Sequence, residues 1–124
     1  MASVTDPQTF LPAKCNITLV QDATYRKRYA VRRDGALLDL TGATIDADIY
    51  DTSTDALIDS FTSDLITGEV GQFFLEMTSA ETRALTAGSG YRWDLAITEA
   101  SGDRFYYVEG NLTVQATVSR EDYP

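Results

Sequence analysis

The chain has 124 residues, 44% of them hydrophobic, and its ten basic and 19 acidic residues give a net charge of −9. This length suits one domain with a proper core, and the negative charge disfavours nucleic acid as a partner because phosphates repel it. The single cysteine excludes an internal disulfide, and no secretory signal or membrane-spanning apolar run is visible, so synthesis in a reducing cytoplasm is expected.

Apolar and polar residues alternate along most of the chain, which is typical of strands with one buried face. Residues 1–13 lack this alternation and are interpreted as an extended N-terminal arm. Strands are predicted at 15–20, 25–32, 43–50, 57–61, 70–77, 91–98 and 108–118. The turn Asp34-Gly35 is a tight-turn signal, and Thr78 with Glu81 fits a capping box, so a short helical segment is predicted near 79–85.

Seven or eight strands at this spacing predict an all-β fold, an antiparallel β-sandwich that spans 14–119 and ends in a short tail, 120–124. Gly110 lies on an inward row, where it marks a bulge or a close contact between strands.

The chain contains no histidine, which removes the commonest general base and the usual transition-metal ligand. No glycine-rich phosphate loop is present, and Cys15 falls on an inward row, where an inert thiol is expected. We therefore expect no enzyme activity and no cofactor. Four carboxylates that could bind calcium lie close together in the sequence: Asp46, Asp48, Asp51 and Asp55. A solvated acidic surface is favoured, since the glycine and spacing of an EF-hand loop are missing.

Charge is distributed unevenly. Residues 26–33 hold five of the ten basic residues, and residues 34–82 hold 11 of the 19 acids without a lysine or arginine. On strand geometry Arg26, Arg28 and Arg32 project from one face. Two interpretations stay open: these arginines pair with the chain's own acidic strands, or they meet an acidic surface on a neighbouring subunit.

Tyr50 and Phe74 fall on outward rows, and the consecutive aromatics Phe105, Tyr106 and Tyr107 must send some side chains to each face of their strand. Tyr106 is the candidate taken from this run. Packing at sheet edges, a protein interface and a carbohydrate platform each account for such aromatics. In the arm, Phe10 and Leu11 are the candidate apolar anchors on a neighbour.

Several segments carry a resemblance: DLTGATIDADIYD at 39–51, ITGEVGQFFL at 66–75, TSAETRALTAG at 78–88, YRWDLAIT at 91–98 and VEGNLTV at 108–114. Together they cover roughly residues 16–118. The pattern resembles the small immunoglobulin-like domains of tailed-bacteriophage particles, including the N-terminal domain of baseplate upper proteins. The resemblance implies an immunoglobulin-like sandwich with a structural role in the virion, and it carries over no functional residues.

The leading hypothesis is a bacteriophage virion structural protein. It would be an adaptor or connector in the tail, baseplate, fibre or neck that binds other virion proteins in a symmetric assembly. The alternatives are a carbohydrate- or host-surface-binding module and a capsid decoration protein. The candidate interface residues are Phe10, Leu11, Arg26, Arg28, Arg32, Tyr50, Phe74 and Tyr106.

Overall fold

The computed structural model describes residues 12–116, and this part of the chain is almost entirely β-structure with one short helix. The elements are β1 (Ala13–Lys14), β2 (Ile17–Val20), β3 (Tyr25–Ala30), β4 (Arg32–Arg33), β5 (Ala36–Leu37), β6 (Thr44–Asp51), β7 (Leu57–Leu65), β8 (Gln72–Met77), α1 (Ser79–Arg83), β9 (Gly88–Thr98) and β10 (Arg104–Gln115). Phe10, Leu11 and the predicted tail 120–124 lie outside the described residues. Ala13, predicted as the last residue of the arm, is the first residue of β1.

The strands form two layers that share β7. One layer has the order β10–β9–β6–β7, and the other has the order β7–β8–β3. The first half of β7 pairs with β6 and residues 62–65 pair with β8, so the strand passes from one layer to the other. In the letters used for immunoglobulin domains, β10, β9 and β6 correspond to strands G, F and C, and β7, β8 and β3 correspond to strands D, E and B. This arrangement confirms the predicted fold class.

The strand β7 is longer than predicted. The expected strand ended at Phe61, whereas the structure continues it to Leu65. Residues 62–65 are all exposed, so no alternation of buried side chains marks this half of the strand in the sequence.

Two short strands depart from the predicted antiparallel pattern. Both β1 and β2 run parallel to β10, with Ala13 opposite Val108 and Ile17 opposite Leu112. Parallel neighbours need a long connection, and nearly the whole domain separates these strands along the chain. The antiparallel prediction is therefore wrong at this edge and right for the remaining pairs.

The N-terminal segment runs alongside β10 and comes closest to it at Gly110. A Cβ atom added to Gly110 would lie 1.9 Å from the carbonyl oxygen of Cys15. The same oxygen accepts a hydrogen bond of 2.7 Å from Nε1 of Trp93, and the Cys15 amide donates to the Glu109 carbonyl at 2.9 Å. The predicted close contact at Gly110 is confirmed.

Aromatic side chains from both layers fill the core. Trp93 and Phe73 are fully buried, and Phe61 packs edge-on against Trp93 with 6.0 Å between ring centroids. From β3, Tyr29 reaches the same cluster, 6.1 Å from Trp93 and 5.9 Å from Phe73. This arrangement places the core between the layers and leaves the outward rows of both sheets to solvent or partners.

The capping box and the tight turn predicted from the sequence are both present in the structure. The hydroxyl of Thr78 accepts from the Glu81 amide at 3.1 Å and the Glu81 carboxylate accepts from the Thr78 amide at 2.8 Å, which starts α1 as a capping box. The helix ends at Arg83, two residues before the predicted end. Asp34 and Gly35 have φ values of +54° and +83°, the left-handed pair that a two-residue hairpin between β4 and β5 requires.

Candidate protein-binding surfaces

The basic segment of β3 and β4 is partly neutralised within the domain. Arg26 pairs with Glu76 at 3.1 Å across the β3–β8 ladder, and Arg28 lies 3.2 Å from Glu69. Three of the five basic residues in 26–33 form ion pairs with the chain's own acids, the third being Arg33 with Glu99. The interpretation as internal pairing therefore holds for these three arginines.

Arg32 lies apart from the other two candidate arginines. Arg26 and Arg28 project from the outer row of β3, whereas Arg32 belongs to β4, in the separate β4–β5 hairpin. Among residues 12–116, Arg32 and Lys27 are the two basic side chains with no acidic group within ion-pair distance.

An arginine covers the ring of each outward aromatic candidate. The guanidinium of Arg26 lies 3.9 Å from the ring centroid of Phe74. On the other layer, Arg92 lies 4.4 Å from the Tyr50 ring and Arg104 lies 5.5 Å from the Tyr106 ring. A sugar stacks on an open ring face, and one face of each of these rings is already occupied by a cation.

Tyr50 and Tyr106 belong to one continuous surface, the outer face of β6, β9 and β10. In the register, Tyr50 lies opposite Arg92, and Tyr106 lies opposite Ala96. We call this surface the β6–β9–β10 face. Its outward rows contain Asp46, Asp48 and Tyr50 on β6, Arg92, Asp94 and the buried Ala96 on β9, and Arg104, Tyr106, Glu109 and Asn111 on β10. Phe74 lies on β8 of the other layer, so the predicted candidates divide between two surfaces.

Ion pairs hold both arginines of the β6–β9–β10 face. Arg104 on β10 reaches over β9 to Asp46 on β6 at 2.8 Å. Arg92 pairs with Asp55 at 2.8 Å and approaches Asp94 at 3.4 Å. Neither arginine was among the predicted interface residues. Arg92 lies on the outward row that alternation predicts for β9, whereas Arg104 precedes the strand predicted at 108–118 and is separated from it by a register shift.

The centre of this face is a poorly hydrated acidic site. Asp94 lies directly opposite Asp48, and its side chain is 16% exposed. Burial raises the pKa of Asp94, Arg92 opposes this effect, and the charge of Asp48 adds to it. Burial and the charges of Asp94 and Asp48 also raise the pKa of the Tyr50 phenol. The ionised Asp94 is therefore less stable here than in water, and a cation or hydrogen-bond donor from a partner would stabilise it.

The aspartates weighed as calcium ligands have separate partners. Asp46 binds Arg104, Ser60 donates to Asp48 at 2.6 Å, and the Ser53 amide donates to Asp51 at 2.8 Å. In the part of the chain that the structure describes, no group of three or more His, Cys, Asp or Glu side chains is arranged to hold a metal ion. No helix in that same part is long and apolar enough to cross a membrane.

The chain matches no protein-family model and no curated protein. Function is therefore inferred from the surface described above and from the resemblance in the sequence.

Proposed function

We propose that this chain is a non-catalytic structural protein of a tailed-bacteriophage virion, an adaptor or connector that binds other virion proteins through the β6–β9–β10 face. The assignment to a virion rests on the resemblance of residues 16–118 to immunoglobulin-like phage domains. The assignment to protein binding rests on one observation: Tyr50 and Tyr106 lie on the same exposed sheet face, each paired with an arginine.

Tyrosine and arginine are the residue types that contribute most to binding at protein interfaces. Here ion pairs hold both arginines against the rings, so little side-chain freedom remains to be lost on binding. The ring of Tyr106 is also well placed to contact a partner, because this residue is 47% exposed. A flat face with fixed aromatics suits a second protein surface better than a sugar, which needs the ring faces that the arginines cover.

The test is site-specific cross-linking in assembled particles. A photoreactive phenylalanine analogue replaces Tyr106 in the full chain, produced during infection by the phage that encodes it. The purified particles should contain the chain cross-linked to another virion protein. The matched control places the same analogue at Val70, which is 55% exposed and lies outside the proposed face; it should cross-link much less.

Two outcomes would overturn the proposal. Absence of the chain from purified particles would exclude a virion role. Equal cross-linking from both positions would exclude the β6–β9–β10 face as the specific surface. Selective binding of the isolated protein to a glycan array would favour the carbohydrate-binding alternative instead.

A further inference from the structure

Among the described residues, the strand β3 is paired along one edge only. It stands at the end of the strand order and pairs with β8 alone. Within residues 12–116, no backbone hydrogen bond joins Tyr25–Ala30 to a strand on the other side. In an antiparallel pair every second residue directs its N–H and C=O groups away from the partner, so this edge presents a row of open donors and acceptors.

Lys27 restricts what can pair with this edge. It lies on the inward row of β3, between Tyr25 and Tyr29, yet its side chain is exposed. Its ammonium lies 5.8 Å from the ring centroid of Tyr29, and no acid in the described part of the chain pairs with it. A neutral or basic strand added here would desolvate this charge without compensation, which disfavours indiscriminate pairing.

An acidic strand would supply the missing partners. Of the basic residues in 12–116, the two without an acidic partner are Lys27 in the middle of β3 and Arg32 just beyond its end, and both are exposed. The chain as a whole is strongly acidic, so two unpaired cations, one within β3 and one two residues beyond its end, are a local exception to its charge. Charges placed this way reject a wrong partner and accept a complementary one.

We infer that the free edge of β3 binds an extended acidic segment of a partner protein by strand addition, with Lys27 and Arg32 selecting carboxylates on that segment. This inference rests on the proposed function only in taking the domain to work by binding proteins. It names a second surface, in the layer opposite the β6–β9–β10 face, and it gives the chemistry of the partner.

The test uses labelled peptides as long as β3 with the full-length chain. The probe alternates Val and Glu, one comparison peptide alternates Val and Lys, and another carries Pro at the centre of the acidic sequence. Fluorescence anisotropy should show binding of the acidic probe alone, weakening with added salt. In amide NMR spectra, the largest shifts should fall in Tyr25–Ala30. The Lys27→Glu substitution, alone or with Arg32→Glu, should weaken binding roughly tenfold or more.

The control is Lys14→Glu, which makes the same charge change at an exposed lysine on β1; unlike Lys27, Lys14 is paired with an acid, Glu109. It should leave probe binding close to that of the unchanged protein. Equal weakening by Lys14→Glu and Lys27→Glu, equal binding of the acidic and basic peptides, or shifts centred on β6, β9 and β10 would overturn the inference. Peptide binding and cross-linking from position 106 are separate measurements: loss of the first alone rejects this inference, and loss of the second alone rejects the proposed function.

Discussion

Substitution of Gly110 by alanine should destabilise the domain strongly. The added Cβ would lie 1.9 Å from the oxygen and 2.6 Å from the carbonyl carbon of Cys15. Non-bonded heavy atoms pack at about 3.5 Å or more, so the N-terminal segment has to move away from β10 by more than about 1 Å. Both contacting atoms belong to backbone, and no side-chain rotation relieves the clash.

That displacement breaks three hydrogen bonds. They are Cys15 amide to Glu109 carbonyl at 2.9 Å, Trp93 Nε1 to Cys15 carbonyl at 2.7 Å, and Asn111 amide to Asn16 side chain at 3.0 Å. Each contributes about 1 kcal/mol, and a buried indole N–H left without an acceptor costs about 1–3 kcal/mol. The expected loss is about 3–5 kcal/mol, a large part of the total stability of a domain this size.

Urea unfolding followed by tryptophan fluorescence measures this loss directly, because Trp93 is the chain's single tryptophan and is fully buried. Gly90→Ala is the matched control: it lies in β9, and the nearest atom to an added Cβ is the Thr52 hydroxyl at 4.0 Å. The control should stay within about 1 kcal/mol of the unchanged protein. A Gly110→Ala variant that also stays within about 1 kcal/mol would refute the reasoning.

Three further predictions concern stability. Thr78→Ala removes the acceptor for the Glu81 amide and should lower the free energy of unfolding by about 1 kcal/mol, measured by urea denaturation. Arg33→Met leaves Glu99 partly buried without its cation and should cost about 1–2 kcal/mol by thermal denaturation; an unchanged melting temperature would show that the pair contributes nothing. Asp94 has a raised pKa in the folded state, so above about pH 4 the folded chain binds more protons at this site than the unfolded chain, and this contribution to stability falls as pH rises. Asp94→Asn should therefore gain stability over the unchanged protein as pH rises from 4 to neutrality, and a constant difference across urea titrations at several pH values would contradict this.

Much of the fold was predictable because local patterns encode it. The alternation in β6, β8 and β9 marks the buried rows correctly, with Ile49, Phe73 and Trp93 all fully buried. The capping box and the Asp34-Gly35 turn depend on residues close together in the chain, so their chemistry can be identified without knowledge of the tertiary structure.

Features that depend on distant pairing were not predictable. Nothing in the sequence of β1 and β2 indicates that they run parallel to β10, since the partner strand lies about a whole domain away along the chain. The three consecutive aromatics Phe105, Tyr106 and Tyr107 posed a related problem. The register shifts between Tyr106 and Val108, which turns both Phe105 and Tyr107 inward and leaves Tyr106 outside. A strict period of two cannot reveal such a bulge.

The register of β3 against β8 also determines which basic residues remain unpaired and available to a partner. In the sequence, alternation places Arg26 and Arg28 on one face of the strand and Lys27 on the other, but it does not show which of them meets an acid. In the sheet, Arg26 lies opposite Glu76 and is neutralised, whereas Lys27 lies opposite the buried Leu75 and meets no acid. A one-residue shift of β3 would exchange these roles, because successive side chains point to opposite faces. The cation available to a partner is therefore set by the pairing of β3 with β8, and the charge run alone could not show which cation lacks an acidic partner.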